Sequence, residues 1–266
     1  MGESIDMKDL IRKIPFAAKS WALLKRINVV IRYCLDYRTF KSLSLARPSR
    51  FSVSWKDRYP CLNDRTATSQ FDRHYVYHTA WAARVLAQTR PEFHVDISSY
   101  IYFCALVSAF IPVRYYDYRP ADLQLDNLSV GRADLLDLPF GSETIKSISC
   151  MHVLEHIGLG RYGDPLDPDG DLKAIAQLKR VLSPGGSLLV AVPVGRPRLM
   201  FNGQRIYAYD QILEYFSDLE LAEFSLVPDS LQNGGLIPHA AKDTADSQAY
   251  GCGCFWFRKP EEARQV

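Results

Sequence analysis

The chain has 266 residues, 47% of them hydrophobic, and a formal net charge of +2. That is material for one α/β domain with an appendage, and the near-neutral balance leaves no electrostatic footprint for nucleic acid. Its six cysteines (Cys34, Cys61, Cys104, Cys150, Cys252 and Cys254) show neither a framework spacing nor a CxxC pair, which argues against a disulfide scaffold and fits a reducing, cytoplasmic compartment.

Charge is unevenly spread, with a net +7 on residues 1–50 and −5 on the remainder. Charged residues interrupt the N-terminus every few positions, so no secretory signal is expected. Residues 7–38 read as two amphipathic helical pieces divided by Pro15. On a helical wheel Ala17, Trp21, Leu24, Ile27, Ile31 and Leu35 form an apolar arc, with Lys19, Lys25, Arg26 and Arg32 opposite. Two readings stay open: an interfacial helix giving peripheral contact with the inner membrane face, or a helix packed on the domain with a solvated basic side. Residues 41–70, rich in Ser, Arg, Pro and Asp, form a connecting arm. The expected division is therefore a basic helical extension at 1–70 and a main domain at 71–266.

Helical character returns at Phe71 to Gln88. His74 and His78, four apart, share a helix face there, but no third ligand is near in sequence and no metal is expected. From Glu92 a βαβ rhythm sets in. Strands are expected at 92–99, ending near Asp96, and at 112–120, ending near Asp117. The apolar run between them, Ile97 to Val113, is shorter than a membrane-spanning helix needs and reads as a buried helix at 100–110. A third strand from Leu128 leads into a turn with Asp134 and Asp137. A fourth ends at His152, and a helix at 171–182 is stopped by Ser183-Pro184-Gly185-Gly186. A fifth strand covers 187–194, a helix 209–217, and a last pair of strands 219–227 and 251–259. The 23 residues between that pair exceed an ordinary connection and are expected to be a lid or a disordered insertion.

The stretch 148–170, "ISCMHVLEHIGLGRYGDPLDPDG", delivers His152, Glu155 and His156 to a strand-to-helix elbow, the kind of place where open α/β sheets bind ligands. "HVLEH" also spells an inverted zinc-protease motif, but that motif needs both histidines on one helix, and His152 closes a strand. "DPLDPDGD" lacks the Gly and Glu of a calcium loop, so Asp169 or Asp171 is expected to cap the following helix. A divalent ion at Glu155 and His156 is an alternative.

This order of elements resembles a class I S-adenosylmethionine (SAM) methyltransferase. More narrowly, "HVLEHIGLGRYGDPLDPDGD" (152–171), "FNGQRIY" (201–207) and "YGCG" from Tyr250 resemble a family of methyltransferase-like proteins associated with bacterial surface-polysaccharide gene clusters, with relatives in nematodes. The resemblance covers 92–259. It implies a Rossmann-like fold with a mostly parallel seven-stranded sheet and a terminal antiparallel strand, and SAM as cofactor. Asp96, Ser98, Asp117, Asp134, Leu135 and His152 would then hold the cofactor, Asp117 clasping the ribose hydroxyls and Asp134 accepting from the adenine amine. His156, with Glu155, would be the catalytic pair. Arg161, Tyr162, Asp164, Asn202 and Arg205 would meet the acceptor, a glycan or lipid-linked sugar precursor. The strand-one turn departs from the family's D-x-G-x-G-x-G: it reads "DISSYIYF", with Ser98 where the first glycine belongs. That departure favours the alternative, a non-catalytic relative serving as a scaffold or binding subunit.

Overall fold

The computed structural model describes residues 15–47 and 50–261. The chain divides after Gln70 into two units. In the first, α1 (Pro15–Leu45) is one uninterrupted helix beginning at Pro15, where a missing N–H costs nothing. The expected piece at 7–14 lies outside the described residues. Trp21, Leu24, Ile27, Ile31 and Leu35 are all exposed, Trp21 to 51%, and the Lys25 ammonium sits 3.5 Å from the Trp21 ring centre. Ser54 caps a short turn, Trp55–Asp57, whose tryptophan meets Tyr37 edge-on at 4.8 Å. Among the described residues, no helix is long and apolar enough to cross a membrane.

The second unit is a three-layer α/β/α domain. Its elements are α2 (Arg73–Thr89), β1 (His94–Ile97), α3 (Ile101–Val107), β2 (Val113–Asp117), β3 (Leu128–Arg132), β4 (Ile145–Met151), α4 (Gly170–Val181) and β5 (Leu182–Val194). After these come the hairpin β6 (Arg198–Met200) and β7 (Gln204–Ile206), α5 (Tyr209–Tyr215), β8 (Glu220–Val227), β9 (Ile237–Pro238), α6 (Lys242–Asp246) and β10 (Gly251–Arg258). The main sheet runs β3-β2-β1-β4-β5-β10-β8-β9. β1 to β5 are parallel, whereas β10 is antiparallel to both neighbours. This is the Rossmann-like arrangement expected from the order of elements in the sequence. It has eight strands rather than seven because β9, a two-residue strand in the long connection, adds to β8.

Alternation along the strands separates two cores. Val95, Ile97, Ile148, Cys150, Leu188, Val190 and Val192 face one way and pack with Ala174, Ile175, Leu178 and Val181, the apolar stripe of α4. Met151, Leu189, Ala191, Cys252 and Cys254 face the other way, onto Trp81, Val85 and Leu86 of α2 and Phe103 and Val107 of α3. Asp72 caps α2 by accepting the Tyr75 amide at 3.2 Å.

Two local expectations hold only in part. α4 stops ahead of Ser183-Pro184-Gly185-Gly186, as expected, but this stretch belongs to the fifth strand instead of preceding it. β5 starts at Leu182 and runs through it, with Gly185 at φ +70 and a register shift against β4. Asp169 occupies the N-cap of α4, one of the two expected positions, but makes no capping bond through its side chain; Asp171 accepts the Tyr207 hydroxyl at 2.9 Å.

Candidate functional site

Strand order reverses between β1 and β4, and their carboxyl ends open the crevice expected of such a sheet. Two residues there adopt left-handed backbone without being glycine: Ser98 (φ 57) after β1 and His152 (φ 57) after β4. Ser98 therefore takes up the conformation for which a glycine is usually needed, at a cost of roughly 1–2 kcal/mol. Hydrogen bonds hold the bend, the Ser98 amide donating to Tyr116 O at 2.7 Å and the His152 amide to Ala191 O at 2.7 Å.

Beneath the turn lies a closed polar chain. His94 touches the Ser147 and Ser149 hydroxyls at 2.8 Å each, and Ser149 donates to Asp96. Asp96 also accepts the Ser99 amide at 3.0 Å. Both ionisable groups are fully buried. Burial pushes the Asp96 carboxyl up to about 6, against its hydrogen bonds, and pushes His94 down to about 3. Asp96 supports the turn and does not reach the crevice.

The crevice is a cavity of about 200 Å³. Asp117, Asp134, Leu135, Ser98 and His152 line it, with Tyr162, Asp164 and His156 across from them. Asp117 is oriented by the Arg119 amide (2.7 Å) and the Tyr115 hydroxyl (3.0 Å), and Asp134 by the Leu136 amide (2.9 Å). Each keeps acceptor capacity for a ligand. A further cavity continues from Ser98, Asp117 and His152 along Ser99 and Tyr100. Sequence reasoning missed Tyr118 and Arg119, also at the crevice wall. The Arg119 guanidinium lies 4.9 Å from the Tyr162 ring centre, an approach across the cavity that no local pattern shows.

The expected helical turn after β4 is a single 3-10 turn, Leu154–His156. His156 is buried, and its Nδ1 lies 2.7 Å from Gly203 O in the β6–β7 turn, so it is the ring's donor and Nε2 carries the lone pair. Neither Asp164 nor Tyr162 orients the ring by a hydrogen bond. Burial lowers the His156 pKa, leaving it neutral near pH 7. Glu155 is 1% exposed and bonds His152 Nδ1 at 2.8 Å, with the same oxygen 3.7 Å from His156 Nε2. The two neighbours therefore approach each other, with Glu155 held by His152 and His156 by Gly203. Asp164 gathers the amides of Gly158, Gly160 and Tyr162 and shapes the loop.

His152, His156 and Tyr162 also line a second, wider cavity of about 750 Å³, together with Asp72, Arg73, His74, Tyr75, Glu155, Arg161, Gln204, Asp229 and Tyr250. The 228–250 connection is folded, and its ends form part of this wall. Two expected acceptor residues stand elsewhere. Arg205 donates to Ile157 O and Pro168 O, and Asn202 to Leu159 O, so both tie the hairpin to the 157–168 loop. His78 is fully buried, and His152 and Cys252, distant in sequence, join His74 in space.

Residues 138–226 match the family model described as "Caenorhabditis protein of unknown function, DUF268", about a third of the chain. No curated protein matches the sequence. Among solved structures, the chain is similar to the N-methyltransferase NodS of Bradyrhizobium japonicum in complex with S-adenosyl-L-homocysteine. That match has 15% identity over 71% of this chain and 90% of that one, with a TM-score of 0.49. It is also similar to the 1,6-didemethyltoxoflavin-N1-methyltransferase of Burkholderia thailandensis, at 12% identity over 69% and 79%, with a TM-score of 0.49. Identities this low say nothing of acceptor or reaction.

Proposed function

We propose that the chain is a SAM-dependent methyltransferase whose acceptor is a glycan or a lipid-linked sugar precursor. The observation that carries this reading is the convergence of Asp117 from β2, Asp134 from the turn after β3 and His152 from β4 on one cavity at the strand-order reversal. Two oriented carboxylates spaced along a crevice suit ribose hydroxyls and an exocyclic amine. The adjoining wider cavity combines Asp72, Asp229 and Arg161 with the rings of Tyr162 and Tyr250, surfaces that match a hydroxyl-rich acceptor. His156, which borders both cavities, would accept the proton of an acceptor O–H through Nε2. SAM bound in the crevice would supply the methyl group and would be left as S-adenosylhomocysteine.

The glycine-free Ser98-Ser99-Tyr100 turn supports a second reading, a binding subunit of this fold that does not catalyse. Titration separates the two. SAM and S-adenosylhomocysteine should each raise the melting temperature, and Asp117→Ala should weaken both by about 1.5–3 kcal/mol, the loss of charge-assisted hydrogen bonds. No shift from either compound at millimolar concentration would end the enzyme reading.

Peripheral membrane contact is part of the same proposal. It is supported by the exposed apolar arc of α1 and the +7 charge of residues 1–50. Each basic residue near an anionic surface contributes about 1 kcal/mol. Full-length protein should pellet with anionic vesicles and release at high salt, whereas protein lacking residues 1–40 should stay in the supernatant. Equal pelleting of the two refutes the contact.

A further inference from the structure

The side of the second cavity formed by α2 and β10 holds an unusual group of side chains. Single ligand atoms of His74, His152 and Cys252 lie within 4.8 Å of one another. His152 is 8% exposed, and its Nε2 has no partner at ordinary hydrogen-bond distance among the described residues, the Cys252 thiol standing nearby. Its other nitrogen is fixed by Glu155 at 2.8 Å. A carboxylate that accepts a hydrogen bond from Nδ1–H and leaves the Nε2 lone pair outward is the support that metal-bound histidines have. The Glu155 carboxylate is itself buried, and its second oxygen has no partner. One turn along α2, the fully buried His78 also has an unpartnered Nε2, its ring 5.0 Å from that of His152. Burying polar groups without partners is costly, and a cation at this point would answer the His152 nitrogen directly and place a positive charge near the Glu155 carboxylate.

We infer that His74, His152 and Cys252 form a site for a zinc-class divalent metal ion. Two imidazoles and a thiolate are ligands such an ion prefers, and three protein ligands leave one tetrahedral position open. Tetrahedral edges run roughly 3.3–3.8 Å, so binding draws the three atoms closer and turns the half-buried His74 ring out of its stack on His152, where the ring centres are 5.1 Å apart. The charges balance: the thiolate and the Glu155 carboxylate together offset the dication. His74 and His152 line the second cavity, whereas Cys252 is fully buried behind them, so the open position faces that cavity. Metal binding stands on these residues alone. Its use rests on the methyltransferase reading: an acceptor hydroxyl coordinated there would be acidified beside His156.

The test is metal content of untagged full-length protein after reconstitution with zinc and desalting. About one zinc per chain is expected, falling at least tenfold in His74→Ala and in Cys252→Ser and unchanged in Cys61→Ser, whose thiol is exposed. Cobalt in place of zinc should give a thiolate charge-transfer band that Cys252→Ser abolishes. If Cys252→Ser fails to fold, the half-buried His74→Ala decides. Zinc below about a tenth per chain, or retained in His74→Ala, overturns the site. SAM thermal shifts on the same samples keep the two proposals apart: SAM binding without zinc refutes only the metal site, and zinc without SAM binding refutes only the nucleoside reading.

Discussion

Gly158→Ala should cost roughly 2–5 kcal/mol of stability and strip the crevice of its outer wall, whereas Gly163→Ala in the same loop should cost about 1 kcal/mol. Both glycines have positive φ, +79 and +85, so both substitutions carry the left-handed penalty. They differ in surroundings. A Cβ at Gly158 would run into the Asp167 carbonyl, while nothing lies within 4 Å of one at Gly163. Gly158 also closes the base of the loop, its oxygen accepting the Asp167 amide at 2.9 Å and its amide donating to Asp164 at 2.9 Å. Gly170 packs against the same point, where a Cβ would sit 3.0 Å from the Gly158 Cα. Spreading that contact displaces Tyr162 and Asp164, which face the cavity. Thermal melts, with a loss of about 2–4 °C per kcal/mol for a domain of this size, read the difference. Equal melting temperatures for the two variants would show that the base of the loop does not hold it.

The loop's glycines were legible from the sequence, because Gly, Pro and Asp at that density specify turns whatever surrounds them. The same local logic held only in part at Ser183 to Gly186. There, Leu182 and Ser187 pair with β4 across a register shift, and Gly185 and Gly186 bond the backbone of Lys259, so the turn residues sit as an irregularity inside the strand. The carboxylates at the ends of β2 and β3 could be placed because strand ends fix which residues face the crevice. Asp96 could not be told apart from them, since it lies at the end of its strand too. Only the serines of β4 and the histidine below draw it inward. His74, His152 and Cys252 come from a helix, an elbow and the antiparallel last-paired strand. Their meeting depends on how α2 seats on the sheet through Trp81 and Val85, a matter of packing that no spacing in the chain encodes.

His156→Ala should lower turnover by roughly 10²–10⁴ while leaving SAM affinity within about twofold. A base for a hydroxyl acceptor must be neutral at working pH, present a lone pair and reach the space between cofactor and acceptor. His156 meets each condition. Burial holds its pKa below the ordinary histidine value, the Gly203 carbonyl fixes the proton on Nδ1, and the ring borders both the crevice proposed for the cofactor and the wider cavity proposed for the acceptor. The Arg161 guanidinium lies 3.1–3.3 Å from the ring nitrogens, which further disfavours the imidazolium. The same Gly203 bond suggests the competing role, a pin between the elbow and the β6–β7 turn. The two roles predict different data. Loss of a pin lowers the melting temperature and weakens SAM in parallel with activity, and His156→Asn, which can still donate to Gly203, should restore all three. Loss of a base leaves melting and SAM binding near the parent values, and His156→Asn stays inactive because an amide cannot take the proton. A His156→Asn variant with parental turnover would assign the ring to structure and leave the proton without an acceptor at this site.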